Sequence, residues 1–455
     1  MHIDQALLQK YNQPTPRYTS YPTVPFWNEG INSGQWKEAV RQRFTICNNE
    51  EGISLYLHLP FCESLCTYCG CNKKITTNHK VEEVYLEAIL KEWRLYRELM
   101  DTPPVIREIH LGGGTPTFFS PANLHRLVAT LLKDSIIHVD YAFSIEGHPN
   151  NTTREHLDEL FQLGFRRISY GVQDLNPEVQ RIINRIQPFE NVQQATETAR
   201  AAGFTAINFD LIYGLPRQNG DRLAHTISQS LSLQPDRIAF YSYAHTPRVI
   251  DAQRLIDEND LPDAGEKLSL YLLGKELISA QGYANIGMDH FALLTDELYT
   301  AWQQQTLHRN FMGYTTQKSG MLLGLGVSAI SDTNTAFAQN EKTLGGYYKS
   351  IHSGSLAVHK GYFLSKEDAL FRRHILDMAC QGRTFFYPLC MAELEQWSLP
   401  MLRDLQNDGL VTLYTDHVEV TTIGRHFIRN ICKAFDLHLL RRDAASPQQT
   451  FSKAI

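Results

Sequence analysis

A chain of 455 residues, 43% of them hydrophobic and 20% charged, can bury a barrel-sized core and still append a smaller domain. Its formal charge of -6 excludes a general attraction to nucleic acid, so an anionic substrate has to be met by local Arg, Lys and His. No apolar run approaches the roughly 18 residues that would cross a bilayer, and the start lacks the charged-then-apolar pattern of a secretion signal, so a cytoplasmic protein is expected.

Residues 1–35 read as an N-terminal arm, expected to pack across the mouth of the domain that follows. Between residues 36 and 360 strand-like runs alternate with helix-like ones. The strand candidates are residues 53–59, 105–111, 139–146, 166–172, 205–212 and 237–243. Between them, Val81 to Leu99 carries apolar residues at 81, 85, 89 and 93, the spacing of one helix face. Pro121 to Lys133 opens with Ser120 as cap and Pro121 at the first helical position. Thr152-Thr153-Arg154-Glu155 reads as a capping box for a helix that ends at Gly164. Repeated strand-then-helix units imply an α/β fold with parallel strands, whose right-handed crossovers curl the sheet into a partial or complete (β/α)6 barrel. From residue 361 the pattern changes to helical stretches at 365–381 and 391–408, then a hairpin from Gly409 to Thr421 that turns at Thr415-Asp416, then a helix from about 422. These features predict a mainly helical, winged-helix-like C-terminal domain, and the acidic balance of the chain argues against nucleic acid as its partner. Arg441 to Gln449 reads as a loose surface segment.

The chemistry begins at four cysteines. Cys62, Cys66, Cys69 and Cys71 follow directly on the apolar run from Ile53 to Phe61. The spacing Cys-x3-Cys-x2-Cys supplies three thiolates from one loop, which suits three corners of a [4Fe-4S] cube better than zinc, whose tetrahedral sites pair knuckles from separate segments. Cys47, Cys380, Cys390 and Cys432 are scattered without the spacing of a disulfide framework. Three ligands leave one iron open to a small molecule. Cys71 is either a fourth ligand or a neighbour that tunes or guards the cluster, and the second role is the one expected. In parallel α/β folds chemistry collects at the C-terminal ends of the strands. The sequence puts Gly112-Gly113-Gly114-Thr115-Pro116, Glu146, Gln173, Asp210, Gly214 and Ala244-His245 there. Successive glycines let backbone approach a ligand, carboxylates accept from an ammonium or a ribose, and Arg185 can clamp a carboxylate with its planar fork. Singly these are weak signals, and their recurrence at one rim after a three-thiol loop gives them weight.

With Tyr68 just before the third thiol, the pattern Cys-x3-Cys-x-aromatic-Cys resembles the radical S-adenosylmethionine superfamily. Further segments narrow the resemblance: Arg17-Tyr18-Thr19-Ser20-Tyr21-Pro22-Thr23, His58-Leu59-Pro60-Phe61-Cys62, Cys69-Gly70-Cys71-Asn72-Lys73, Gly112 to Thr117, Asp210 to Pro216, Gly287-Met288-Asp289-His290-Phe291, His308 to Thr316, Gly326 to Ser331 and Arg429-Asn430-Ile431-Cys432. Almost end to end, the chain resembles the oxygen-independent coproporphyrinogen III oxidase (coproporphyrinogen dehydrogenase) family. The resemblance implies oxidative decarboxylation of two propionates of coproporphyrinogen III to vinyl groups, giving protoporphyrinogen IX in haem biosynthesis through a 5'-deoxyadenosyl radical. It implies one [4Fe-4S] cluster on Cys62, Cys66 and Cys69, and two molecules of S-adenosylmethionine. The molecule on the cluster would use Tyr56, Gly113, Glu146 and Ile330, and the second Tyr68, Gly114, Thr115, Gln173, Arg185, Asp210 and Ala244. Of these, Tyr56, Glu146 and Ile330 are expected to act in catalysis together with Asp289, His290, His308 and Arg309 at the substrate, whose propionates call for cations such as Arg17, Arg309 and His308. The partners implied are coproporphyrinogen III and a low-potential electron donor such as flavodoxin or ferredoxin, with a monomer as the expected state.

Three positions depart from the family's pattern. Glu146-Gly147-His148-Pro149 stands where Glu-Val-Asp-Pro is frequent, so an acid becomes a titratable imidazole. Met312 replaces a glutamine of His-Arg-Asn-Phe-Gln-Gly, exchanging an amide for an apolar thioether. Tyr68 stands for a frequent phenylalanine and adds a hydroxyl. Two other functions fit the superfamily, a haem chaperone and an anaerobic haem-degrading methyltransferase. Against the chaperone stand Cys71, the Gly-Met-Asp-His-Phe segment and the His-Arg-Asn-Phe segment, which such relatives typically lack.

Overall fold

The computed structural model describes residues 5–445. They fall into two compact units, one made of residues 29–282 and 317–361, the other of the residues up to Asn28, of residues 283–316 and of the chain from Tyr362 onward.

The first unit is built on a mostly parallel sheet. Its strands in chain order are β1 (Ile53–Leu59), β2 (Val105–Gly113), β3 (Ile136–Gly147), β4 (Phe165–Gln173), β5 (Ala206–Tyr213), β6 (Arg237–Ser242), β7 (Met321–Leu325), β8 (Ile330–Asp332) and β9 (Ala336–Asn340). They lie in the order β9-β8-β7-β1-β2-β3-β4-β5-β6. All neighbours from β7 through β6 pair in parallel, and β8 and β9 close the β7 side with antiparallel ladders. Strands covered on both faces need apolar residues at nearly every position. In β1 Ile53, Leu55, Leu57 and Leu59 are 0% exposed and only Tyr56 is half-buried. Helices α1 (Val81–Arg97), α2 (Pro121–Leu132), α3 (Arg154–Gln162), α4 (Phe189–Ala202) and α5 (Gly220–Ser232) follow strands β1 to β5. The result is a partial (β/α)6 barrel.

Five of the six expected strands fall within two residues of their predicted ends. The exception is β3, which begins at Ile136 instead of 139. Its first residues pair with Val105 and Ile106, while Ile136, Ile137 and Val139 stay exposed, so burial did not announce them. The parallel strand β7 was not foreseen. Met321-Leu322-Leu323-Gly324-Leu325 is a short, wholly buried run without the alternation that marks a half-exposed strand. The capping box at α3 is real, but its members are Thr153 and His156. The Thr153 hydroxyl accepts the His156 N–H at 3.3 Å, and the Thr153 N–H donates to His156 Nδ1 at 3.2 Å. An imidazole fills the role expected of Glu155 because burial lowers its basicity and its Nε2 reaches the Phe119 carbonyl at 2.8 Å.

One buried acid ties four elements of this unit together. Glu92, 0% exposed on α1, accepts the Gly326 N–H at 2.8 Å, the Tyr347 hydroxyl at 2.7 Å and the Asn340 amide at 2.7 Å. Tyr85, two turns earlier, donates to the His58 carbonyl at 2.7 Å and accepts the Val327 N–H at 2.9 Å. The turn after β7 is thereby fixed against the end of β1. Gly326 stands at φ +99 with the Tyr85 hydroxyl 2.6 Å from where a Cβ would sit, so the turn admits only glycine.

In the second unit, a helix at Lys366–Gln381, a segment helical in most of Met391–Asn407, and a three-stranded antiparallel sheet of residues 383–385, 411–413 and 417–420 form a winged-helix-like body. The N-terminal segment is tied to it. Tyr18 donates to Asp436 at 3.2 Å, the Asn430 amide to the Tyr11 carbonyl at 2.9 Å, and Arg429 Nε to the Pro16 carbonyl at 3.3 Å. The predicted loose tail is helical as far as it is described, since a helix runs from Leu437 to Ala445. Arg441 pairs with Glu367 at 2.6 Å, and positions 446–449 lie outside the described residues. No described helix is long and apolar enough to cross a membrane.

Glu92→Ala strands three buried donors at once. We expect unfolding free energy to fall by about 3 kcal/mol, measured by denaturant titration.

Candidate cluster and cofactor site

At the C-terminal ends of β1 to β5 lies a cavity of about 920 Å³, lined among others by Cys62, Cys66, Tyr68, Cys69, Cys71, Gly113, Gly114, Thr115, Glu146, His148, Gln173, Arg185 and Asp210. The thiol loop is anchored where it leaves β1. Phe61–Cys62 forms a two-residue parallel ladder with Lys74–Ile75, and the Thr115 N–H donates to the Phe61 carbonyl at 3.0 Å. Lys73 Nζ donates to the Cys69 carbonyl at 2.8 Å. The Cys71 thiol donates to Cys69, and with Lys73 this holds Cys69 below the ordinary thiol range despite burial, while Cys71 is held above it. Burial pushes the Cys62 thiol up to about 11, against a hydrogen bond from Thr115 at 3.3 Å.

The donor set fits an iron–sulfur cluster. Cys62, Cys66 and Cys69 line one cavity, and a cube spreads its ligands over separate iron corners. The backbone facing the thiols is bare. A Cβ on Gly114 would sit 2.6 Å from the Pro60 carbonyl oxygen and 3.0 Å from Cys62 Sγ, and Gly113 stands at φ +120 with a would-be Cβ 2.9 Å from the His58 ring. Only glycines permit this approach.

The acids of the cavity sit in contrasting surroundings. Burial raises the Glu146 carboxyl, but His110 at 3.3 Å, the Gly113 N–H at 3.1 Å and His58 more than offset it, so it stays below its ordinary value. Burial and the Glu146 charge push Asp210 up to about 7, although the Asn208 amide at 2.8 Å and the Ser169 hydroxyl at 3.2 Å donate to it. Arg185 donates to the Gly171 carbonyl at 2.6 Å and lies 3.6 Å from Cys66 Sγ, and its Nε is buried without a partner. Gln173 ends β4 in the left-handed region at φ 65, a conformation that costs energy for a non-glycine residue and collects at functional sites.

Cys62, Cys66, Cys69, Tyr68, Gly113, Gly114, Thr115, Glu146, Gln173, Arg185 and Asp210 are thus brought together. Tyr56, Ala244 and Ile330 are not part of the cavity's lining. Tyr56 stacks on His110 with ring centroids 5.9 Å apart and meets His58 Nδ1 at 3.1 Å; Ile330 opens β8; the Ala244 carbonyl accepts the Gln253 amide at 3.1 Å. The sequence reading did not single out His58 and His110, which pack against Tyr56 and Glu146. His58 Nε2 donates to the Asn72 carbonyl at 2.8 Å, leaving Nδ1 to accept from Tyr56, and His110 bridges Ser144 at 2.7 Å to Glu146. Alternation along β1 and β2 sets both rings on the face of Tyr56 and Glu146. His148 does not titrate near neutrality as expected. Burial, aided by Arg185, lowers it to about 3, and the ring stays neutral.

The remaining predicted residues belong to the second unit. Arg17 lies 3.7 Å from Asp289. Arg309, 6% exposed, packs its guanidinium over Tyr314 at 4.6 Å and donates to the Arg17 carbonyl at 3.3 Å. Its Nε and Nη1 are buried without partners. His290 meets the Tyr314 ring edge-on at 5.3 Å, and His308 pairs with Thr315 in the small hairpin whose turn carries Met312.

The sequence matches the family model of the radical SAM superfamily over residues 56–229, from β1 into α5. It is similar to the oxygen-independent coproporphyrinogen III oxidase of Salmonella typhimurium, with 41% identity over 99% of this chain and 98% of that protein. Similarity to the Pseudomonas aeruginosa oxidase of the same name is 37% over 99% of this chain and 98% of that one. Among solved structures, the coproporphyrinogen III oxidase of Escherichia coli, described as a radical SAM enzyme, superposes with a TM-score of 0.90 at 38% identity, covering 96% of this chain and 100% of that one.

The split between the two acids is open to measurement. A folded value of about 7 for Asp210 against an ordinary carboxyl means that its bound proton stabilises the folded protein fully below pH 4 or so, and that this stability is lost as pH rises through 7. Infrared pH titration of ligand-free protein should show carboxyl protonation near neutrality from Asp210 and from the buried Glu92, which is also raised to about 7; the Asp210 contribution should be absent in Asp210→Asn and shifted to lower pH in Glu146→Gln.

Proposed function

The chain belongs to the oxygen-independent coproporphyrinogen III oxidase family of radical S-adenosylmethionine enzymes, and from that premise we propose which of its side chains hold the cofactors and substrate. The enzyme is an oxidoreductase of haem biosynthesis that decarboxylates two propionates of coproporphyrinogen III to vinyl groups. Bound on three thiolates, a [4Fe-4S] cluster supplies the electron that cleaves S-adenosylmethionine to methionine and the 5'-deoxyadenosyl radical.

The observation that carries the residue assignment is the one cavity shared by four thiols, bare glycine backbone, three carboxylates and Arg185. Cys62, Cys66 and Cys69 hold the cluster, with Cys69 the readiest thiolate and Cys71 a hydrogen-bonding neighbour. Gly113 and Glu146, with Tyr56 and Ile330, hold the S-adenosylmethionine on the cluster. The ionised Glu146 suits the ammonium of its methionine end. A second molecule is held by Tyr68, Gly114, Thr115, Gln173, Arg185, Asp210 and Ala244, and the cavity volume, at the upper end of the ~300–1,000 Å³ usual for ligand sites, supports more than one occupant. In the second unit, Arg17, His308 and Arg309 meet the propionates, with Asp289 and His290 beside them. The orphaned Nε and Nη1 of Arg309 support that role, since a buried guanidinium without acceptors favours an incoming carboxylate. We further infer a cytoplasmic monomer reduced by a flavodoxin or a ferredoxin.

The test is an anaerobic assay of reconstituted protein with coproporphyrinogen III, S-adenosylmethionine, a low-potential reductant and cell extract as final acceptor, read by mass spectrometry. Loss of two carbon dioxide units with 5'-deoxyadenosine formation is expected. Cofactor cleavage with all four propionates retained would overturn the substrate-site assignment and direct the assay to haem. Cys62→Ala, Cys66→Ala and Cys69→Ala should each abolish both products and the cluster's visible absorbance, while Cys71→Ala keeps the absorbance. Arg309→Lys, which loses the planar fork, should raise KM for the porphyrinogen by about 10-fold or more.

A further inference from the structure

His148 is a feature of this chain that the assignments above leave without a task. It lines the cavity beside Arg185, at the position where a carboxylate is frequent in the family's pattern. Its backbone N–H donates to the Thr117 hydroxyl at 3.3 Å, and its ring Nδ1 accepts the Asn150 N–H at 3.2 Å. The Asn150 side chain in turn donates to the Ile186 carbonyl at 2.9 Å, so one asparagine couples the His148 turn to the segment that carries Arg185. A neutral imidazole whose Nδ1 accepts must carry its proton on Nε2. His148 lines the cavity, and its hydrogen bonds run through its backbone N–H and ring Nδ1, which leaves that N–H to donate.

The cavity wall thus carries both the Arg185 guanidinium and the His148 ring, whose Nε2–H is left to donate. The acids of the cavity are Glu63, which accepts the Asn151 amide at 2.8 Å, Glu146 on β3 and Asp210 on β5. A zwitterionic amino-acid ligand is sorted by such an arrangement, its ammonium toward the carboxylates and its carboxylate toward the donors.

We propose that His148 is a cofactor-binding residue of this chain, its Nε2–H donating, together with Arg185, to the carboxylate of the methionine moiety of a cavity-bound S-adenosylmethionine. The inference rests on the reading that this cavity holds S-adenosylmethionine against Arg185.

The experiment is anaerobic equilibrium binding to reconstituted protein, resolved into stoichiometric steps, with three probes. S-adenosylmethionine and S-adenosylhomocysteine carry the carboxylate, and 5'-methylthioadenosine lacks it. His148→Ala should weaken one step for the first two by about 10-fold and leave methylthioadenosine unchanged. His148→Gln, which restores a neutral donor, should recover most of that loss. Unchanged affinities in His148→Ala, or an equal loss for methylthioadenosine, would overturn the inference. Arg185→Ala, measured in parallel, separates the two failures. If it weakens homocysteine-probe binding while His148→Ala does not, the role of His148 alone is wrong; if it too changes nothing, the placement of the cofactor against Arg185 falls with it.

Discussion

The site depends on one register. β1 and β2 pair in parallel with His58 opposite Gly112 and Leu59 opposite Gly113, and the Gly114 N–H continues the ladder to the Leu59 carbonyl at 2.9 Å. The thiol loop and the glycine run therefore emerge side by side from adjacent strands. A shift of one residue would turn Tyr56 and His58 on β1 away from the face that carries His110 on β2. Nothing local enforces this pairing, and the Glu92 and Tyr85 hydrogen bonds hold it from behind by pinning the Gly326 turn to the His58 carbonyl.

Charge placement follows from that frame. Parallel strands end at one rim, so side chains far apart in sequence are pressed into one low-dielectric space, where a pair of acids cannot both ionise freely. The protein resolves the conflict by unequal support. Glu146 receives an imidazole and a peptide N–H and stays ionised, while Asp210 is left to rise. The same crowding neutralises His148, because burial and the Arg185 charge both disfavour its protonated form. Each behaviour belongs to a pair or a triad and not to a residue type.

Much of this was legible in the sequence. The three-thiol loop declares itself because its ligands are neighbours along the chain, and the strand-then-helix rhythm declares a parallel sheet because each apolar run is bounded by turn residues. β7 escaped because its five residues are uniformly buried and so carry no period. The His156 cap escaped because an imidazole accepts like a carboxylate only when something else, here the Phe119 carbonyl, fixes its proton on the far nitrogen. The family match carried Tyr56, Ala244 and Ile330 onto the site, yet within the first unit they stand outside the cavity's own lining, Tyr56 in mid-strand on β1, Ala244 after β6 and Ile330 at the start of β8.

By itself, then, the sequence determined the α/β class, the close spacing of Cys62, Cys66 and Cys69, and the membership in the family, since these are written in local spacing and in side-chain type. Only the tertiary structure decided which acid keeps its charge, that His148 remains neutral with its proton on Nε2, that His58 and His110 stand behind Tyr56 and Glu146, and that Arg309 is buried with two nitrogens unmatched. Protonation, tautomer and hydrogen-bond satisfaction are set by what surrounds a group in space, and in a parallel sheet those surroundings come from strands separated by thirty or more residues, as His110 and Glu146 are.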